Sequence, residues 1–502
     1  MNLRPYQEAA LGAITQCLEN KFSTLAVLAT GLGKTVVLAY LARRWPGRVL
    51  VLAHRDELVN QAVEKLQTVT GEMVGVEMGQ RMLDEDAFIK PRLVVSSVQT
   101  MSRPKRQRKF RPCEFGLLII DEAHHAVAKS YKDVIAHFRQ SPTVRLLGVT
   151  ATPKRTDQLA MGQVFESVAY DYGIEAAIDD GWLVPVRQQS ISVEGLDFSS
   201  VRSIAGDLSE ADLDRILTEE DILHRVASPT VELIGDLPTL VFCVTVNHAR
   251  LMAEVFNRYK PGSAHALSGA TDMDERRSSI DRFRKGELQI LCNCNLFLEG
   301  FDAPSTAVVV MARPTKSLAL YTQVLGRGTR PLPGVIDPYA GCLAKDRKDA
   351  IAASIKPYMM VLDFVGNSGK HRIISATDLL GGKYGEPIRA YARKTSEEEG
   401  APSMVGESLE RAKDELLLLE EIKERKRKES IKARAEYVIR DQSPFGGSGP
   451  QVESGRALAD PPTDKQRYYL RINLGWTWEQ TGRVSKRQAS AIISKHKGDR
   501  PR

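Results

Sequence analysis

The stretch TLAVLATGLGKT, residues 24–35, runs from a mostly apolar segment into a glycine-rich turn, and a helical pattern follows it. A short apolar run bounded by turn residues predicts a buried strand. The same kind of run recurs downstream in RVLVLA (48–53), RLVVSS (92–97), FGLLIID (115–121) and VRLLGVT (144–150). Between them, segments such as RDELVNQAVEKLQTV (55–69) space apolar residues at helical intervals. Nearly continuous apolar strands alternating with helices predict a parallel sheet covered on both faces. The alternation resumes in TLVFCV (239–244), SAHALS (263–268), LQILCN (288–293), TAVVVM (306–311) and MMVLDF (359–364), which predicts a second unit of the same kind.

The expected fold class is therefore α/β: two tandem parallel-sheet lobes with a helical C-terminal extension. The lobes are placed at 1–160 and 235–370, with a connection over 161–234. An extension over 371–440 contains a long charged helix (407–440), in which Leu409, Ala412, Leu416 and Leu419 share one face. Residues 441–462 are rich in Gly, Pro and Ser and read as a flexible linker, and 463–502 as a small basic helical module.

Composition narrows the class. Of 502 residues 42% are hydrophobic and 26% charged, a globular balance. There is no apolar leader and no run near the ~18 apolar residues of a membrane span, so a cytoplasmic protein is expected. Six cysteines (17, 113, 243, 292, 294 and 342) lack metal-ligand spacing and read as reduced core thiols. The net charge is +7, and residues 461–502 hold ten Lys/Arg against three Asp/Glu, so the excess sits in the tail. A neutral body with a basic appendage suits a polyanionic partner.

Two segments carry chemistry on their own residues. In ATGLGKT the turn delivers backbone N–H groups and the positive end of a helix to phosphate. Lys34 would reach the β- and γ-phosphates of ATP and the Thr35 hydroxyl would hold Mg²⁺, with Thr30, Gly31 and Gly33 forming the cradle. The general pattern asks for a glycine where Leu28 stands, and a chance glycine turn is the plain alternative. In LLIIDEAHH (117–125) an apolar strand ends in Asp121 and Glu122 at the sheet edge where ligands bind. Asp121 suits Mg²⁺ and Glu122 suits the attacking water, although such a strand end is more often only a helix cap.

In this order the segments resemble a superfamily-2 DEAD/DEAH-type helicase, in the branch shared by DNA-repair helicases and restriction-enzyme translocation subunits of phage or bacteria. The resemblance spans about residues 2–367 and implies two RecA-like lobes with ATP between them. It implies that Gln7 of LRPYQ (3–7) reads adenine, and that Arg55 of AHRDELVNQ (53–61) and Ser97, Gln99 and Thr100 of SSVQT (96–100) face the nucleic-acid strand. It implies that GVTATP (148–153) couples hydrolysis to lobe movement, and that Gly300 and Asp302 of LEGFDAP (298–304) touch nucleotide. QVLGRGTR (323–330) matches Q-x-x-G-R-x-x-R, which implies catalytic roles for Gln323, Arg327 and Arg330. The implied track is nucleic acid, with DNA favoured and RNA open. Rival readings are a duplex translocase that separates no strands and an ATP-switched nucleic-acid-binding protein.

Weaker signals lie outside these motifs. RPKRQRKFR (103–111) has six basic residues and no acid; Arg103, Lys105 and Arg106 would grip phosphates, unless this is a plain surface loop. The basic stretch from Lys423 to Arg434 reads as a solvated face before a DNA contact. In the tail, Tyr468, Tyr469, Trp476 and Trp478 are expected to supply most of a mini-domain core, its basic surface binding DNA or a replication or repair partner.

Overall fold

The computed structural model describes residues 3–83, 90–151, 161–204, 206–298, 300–367, 371, 373–399, 402–440, 460–474, 476–477, 480–481 and 484–498. The linker expected at 441–462 lies almost wholly outside the described residues, as do Thr152 and Pro153 of GVTATP, Glu299 of LEGFDAP, and Trp478.

The first lobe is a seven-stranded parallel sheet. Its strands are β1 (Ser23–Leu28), β2 (Val49–Ala53), β3 (Val74–Glu77), β4 (Leu93–Ser97), β5 (Leu117–Asp121), β6 (Arg145–Thr150) and β7 (Val168–Tyr172), in the order β3-β4-β2-β5-β6-β1-β7. β1, β2, β4 and β5 are buried at every position, which is why they read as unbroken apolar runs. One face packs Val27, Leu50 and Ile120 against Phe115 and Phe138.

The second lobe adds β8 (Val186–Asp197), a small antiparallel pair β9 (Ser203–Ile204) and β10 (Asp207–Leu208), then β11 (Thr239–Phe242), β12 (Ala264–Leu267), β13 (Ile290–Asn293), β14 (Val308–Met311), β15 (Met359–Asn367) and β16 (Ser403–Met404). The main sheet runs β12-β13-β11-β14-β15-β8-β16, parallel except for β16. One contiguous apolar cluster reaches from Leu28 and Val37 in the first lobe to Val309 and Val324 in the second.

Three boundaries differ from the sequence reading. The stretch 161–234 is not a separate connection: β7 pairs with β1 and β8 with β15, so it completes one sheet and enters the other. Residues 371–420 belong to the same compact unit as the lobes, because β16 pairs with β8 and Leu409 and Ala412 are buried. The long helix spans Val405–Arg440.

The second unit, 421–502, carries helices Asp464–Leu474 and Lys486–Gly498. Its buried residues are Pro462, Leu470, Thr481 and Ala489 among the described residues, whereas Tyr468 is exposed and Tyr469 hydrogen-bonds His496 at 3.1 Å. Tyr468 therefore stands outside the expected aromatic core, Tyr469 and Trp476 are half-buried, and Trp478 lies outside the described residues. Cys243 and Cys292 are core thiols as expected, and burial pushes both thiols well up; Cys113 and Cys342 are exposed, so the core-thiol reading does not extend to them. No helix of the described residues is long and apolar enough to cross a membrane.

The lobes meet closely where Gly326 faces Thr30. Gly326 lies so near Thr30 that an added Cβ would sit 2.3 Å from the Thr30 Cβ. Gly326→Val should therefore wedge the lobes apart and cut ATP turnover by about a hundredfold, since an ångström of misplacement carries that cost. Circular dichroism of the folded variant beside an ATPase assay checks this.

Candidate nucleotide and nucleic-acid site

The phosphate cradle is built by a sharp change of backbone hand. After β1 the chain turns through Gly31 and Gly33, both at positive φ, and Gly33 caps the helix Lys34–Arg44. A side chain at Gly33 would be strained there and would also strike the Gln7 amide, 2.8 Å from where a Cβ would sit. Gln7 holds this turn from below: its Nε2 donates to the Leu32 carbonyl at 2.9 Å, as does the Tyr6 hydroxyl at 3.0 Å. Gln7 is buried, and its Oε1 accepts the Arg4 N–H at 3.0 Å.

Asp121 closes β5, and Glu122 follows in a left-handed conformation (φ 51°, ψ 56°) that a non-glycine residue adopts only at some cost. The turn brings Glu122 Oε1 to 3.1 Å from Lys34 Nζ. Its Oε2 is buried without a hydrogen-bond partner, with His124 Nδ1 3.5 Å away.

The second lobe supplies the facing wall of a cleft of about 570 Å³. Thr30, Gly31, Gly33, Lys34, Thr35, Asp121 and Glu122 line it from one side and Gly300, Asp302, Arg327 and Arg330 from the other. Arg330 crosses Gly31, its Cγ 3.1 Å from a notional Cβ there, and its guanidinium pairs with Asp302. Arg327 is buried and donates to the carbonyls of Phe301 (2.7 Å) and Leu298. Gln323 is buried in the same helix, Leu318–Gly328, and is not among the lining residues. Gln61, Lys65 and Arg284 also line the cleft and were missed in the sequence. Lys65 could have been found four residues beyond Gln61 on the helix Asp56–Thr70, whose cleft-facing side runs i, i+4.

A family model described as "Type III restriction enzyme, res subunit" matches residues 1–155, and one described as "Helicase conserved C-terminal domain" matches 229–331. The candidate ATP-dependent helicase IRC3 of Saccharomyces cerevisiae is 32% identical over 403 residues, covering 76% of this chain and 53% of IRC3. The chain belongs to helicase superfamily 2. The endonuclease subunit of the Escherichia coli type I restriction enzyme EcoAI is 25% identical over 360 residues, 65% of this chain and 44% of that one. A fragment of a candidate HsdR subunit of a type I restriction enzyme from Vibrio vulnificus shares the fold, with a TM-score of 0.54 at 24% identity over 76% of this chain and 67% of that chain. The chain spans about half the length of the curated relatives it matches.

The residues that superfamily 2 implies for the strand have mixed placements. Gln99 is exposed and donates to the His54 carbonyl at 2.8 Å; Arg55 reaches across the lobes to the Asn295 carbonyl at 3.2 Å. Ser97 and Thr100 are buried, and their hydroxyls bond each other at 2.9 Å to start the short helix Val98–Met101. The basic segment forms a helix, Pro104–Gln107, anchored by the buried ring of Phe110, rather than a plain loop. Arg103 and Lys105 are exposed there. Arg106 is turned inward: it pairs with Glu77, itself fully buried at the end of β3, and donates to the Gly79 carbonyl at 2.7 Å.

That inward pair has a measurable consequence. Arg106→Ala would strand a buried carboxylate and should lower stability by about 3–5 kcal/mol, whereas Lys105→Ala should leave it unchanged. Chemical denaturation of the two variants beside the wild-type protein decides between a structural and a surface role for each cation.

Proposed function

We propose that this chain is a nucleic-acid-stimulated ATPase that uses lobe closure to move along DNA. The observation that carries the reading is the division of the cleft. Lys34, Asp121 and Glu122 stand on one lobe, Arg327 and Arg330 on the other, and neither set is complete without its partner lobe. Hydrolysis is then gated by conformation.

In this reading the Gly31–Gly33 turn and Lys34 bind the ATP phosphates, and Gln7, which already fixes the turn, reads adenine. Thr35 and Asp121 fit Mg²⁺: both line the phosphate cleft and offer the hard oxygen donors that ion takes. Bound there, Mg²⁺ would neutralise charge on the phosphate oxygens. Glu122 holds Lys34 through one carboxylate oxygen and keeps the other, buried and unpartnered, for the attacking water. Arg330, released from Asp302, and Arg327 meet the charge that develops on the γ-phosphate. Gln323 supports the arginine pair from inside its helix. Arg55, Gln99, Arg103 and Lys105 hold the strand mainly through phosphates, with little sequence preference.

DNA is favoured by the likeness to endonuclease subunits of type I restriction enzymes, and the basic tail offers a second grip on nucleic acid or a replication or repair protein. Likeness to a restriction endonuclease subunit also favours a second output, duplex translocation without strand separation. A forked-duplex unwinding assay run beside triplex displacement separates the two: displacement alone would assign a translocase.

Two substitutions test the site. Lys34→Ala should abolish turnover. Arg330→Ala should cut kcat by ~10³-fold or more while nucleotide affinity stays close to wild type. Equal loss of binding and turnover in Arg330→Ala would place that arginine in ground-state binding instead.

A further inference from the structure

Among the described residues, Lys356 is the most buried of the cations that the hydrolytic scheme leaves unused. We infer that Lys356 is a positioning residue for the arginine pair, its ammonium tying the backbone that carries Arg330 to the loop that carries Asp302. Lys356 Nζ donates to the Arg330 carbonyl at 2.7 Å and to the Pro304 carbonyl at 2.7 Å. Those two residues are the last of QVLGRGTR and of LEGFDAP.

The arrangement is costly, which is what makes it informative. Lys356 is 4% exposed, just ahead of β15, while its neighbour Ile355 is 91% exposed. Burial, reinforced by the positive charge of Arg330, pushes the Lys356 ammonium down to about 7. An aliphatic side chain would fill the same space without that penalty. What an aliphatic chain cannot supply is two charge-assisted bonds that converge on two separate segments.

The result is an arginine held at both ends by one loop. Asp302 pairs with the guanidinium of Arg330, and Lys356 joins the backbone of Arg330 to Pro304, two residues further along the same loop. The loop in turn touches the first lobe, where Gln61 donates to the Gly300 carbonyl. Arg330 and the loop therefore shift as one body when the lobes move. Lys356 acts through Arg330 and touches no reacting atom itself, so the inference rests on the reading of Arg330 as the residue that meets the γ-phosphate.

The test uses the full chain with Lys356→Met, with Lys356→Gln as a milder variant should the first not fold, and with Arg330→Ala alone and combined. DNA-stimulated kcat and the dissociation constant of a fluorescent ATP analogue are measured for each. Lys356→Met should lower kcat by about a hundredfold with affinity kept within about threefold, and Lys356→Gln should fall between it and wild type. The double variant should be no slower than Arg330→Ala, because both changes act on one element. A folded Lys356 variant with kcat within about twofold of wild type, or effects that multiply in the double variant, would overturn the inference. If Arg330→Ala itself keeps full turnover, the reading of the site fails and the inference with it. If Arg330→Ala is slow while Lys356→Met is not, only the inference fails.

A stability profile adds a second readout. Lys356 keeps the ordinary lysine value of 10.5 in the unfolded chain and falls to about 7 in the folded one. Between those values the unfolded chain binds the extra proton, so wild-type stability rises with pH across the window. That rise should be missing from Lys356→Met. Identical profiles for the two proteins would overturn the buried placement on which the inference stands.

Discussion

The division of the cleft turns on the close approach of Gly326 to Thr30, where the helix that carries Arg327 lies on the phosphate turn. Each sheet folds around its own apolar strands, but the chemistry is split between them. Lys34 and Glu122 are fixed on one lobe by β1 and β5, Arg327 on the other by the helix Leu318–Gly328, and Arg330 just beyond the end of that helix. A glycine meets a threonine there, beside the bonds of Arg55 to Asn295 and of Gln61 to Gly300 that also cross between the lobes. A bulkier contact would hold them at a distance where the arginines could not reach the phosphates. On the proposed reading, the absence of a side chain at Gly326 is a functional constraint.

Within the cleft, charge is arranged so that most groups have a holding partner. Lys34 is held by Glu122 and Arg330 by Asp302, while Arg327 rests on two carbonyls. The exception is Glu122 Oε2, a buried acceptor without a hydrogen-bond partner and with His124 Nδ1 3.5 Å away, on a residue whose backbone is in a strained hand. Strain and an unsatisfied acceptor on the same residue mark a place where packing has yielded to chemistry. Nucleotide would exchange these internal pairs for phosphate contacts, so turnover is inseparable from rearrangement of the cleft.

Much of this was legible in the sequence because parallel strands buried on both faces leave unbroken apolar runs; all ten strands so read are present. β3, β7 and β8 were not read, since each mixes polar with apolar residues: VGVE is short, VAYDY is half-exposed, and VRQQSISVEGLD buries Gln188, Gln189 and Ser190. The residues of the cleft were legible by their motifs, because a turn or a strand end fixes each one locally. Long-range pairing left no local trace. Nothing in RPKRQRKFR says that Arg106 turns inward to Glu77, and nothing around Lys356 says that its ammonium reaches Pro304 and Arg330. In the tail, too, the sequence did not show that Tyr468 faces outward while Leu470 and Ala489 are buried.

The central claim is that nucleic acid drives the lobes into a hydrolytic arrangement. The most direct measurement is the steady-state ATPase rate of the full chain, alone and with single-stranded DNA, duplex DNA or RNA. The account predicts a low basal rate and strong stimulation by DNA, the more effective form naming the track. A rate that is the same with every polymer and without one would contradict it, and would leave the cleft as a nucleotide-binding switch.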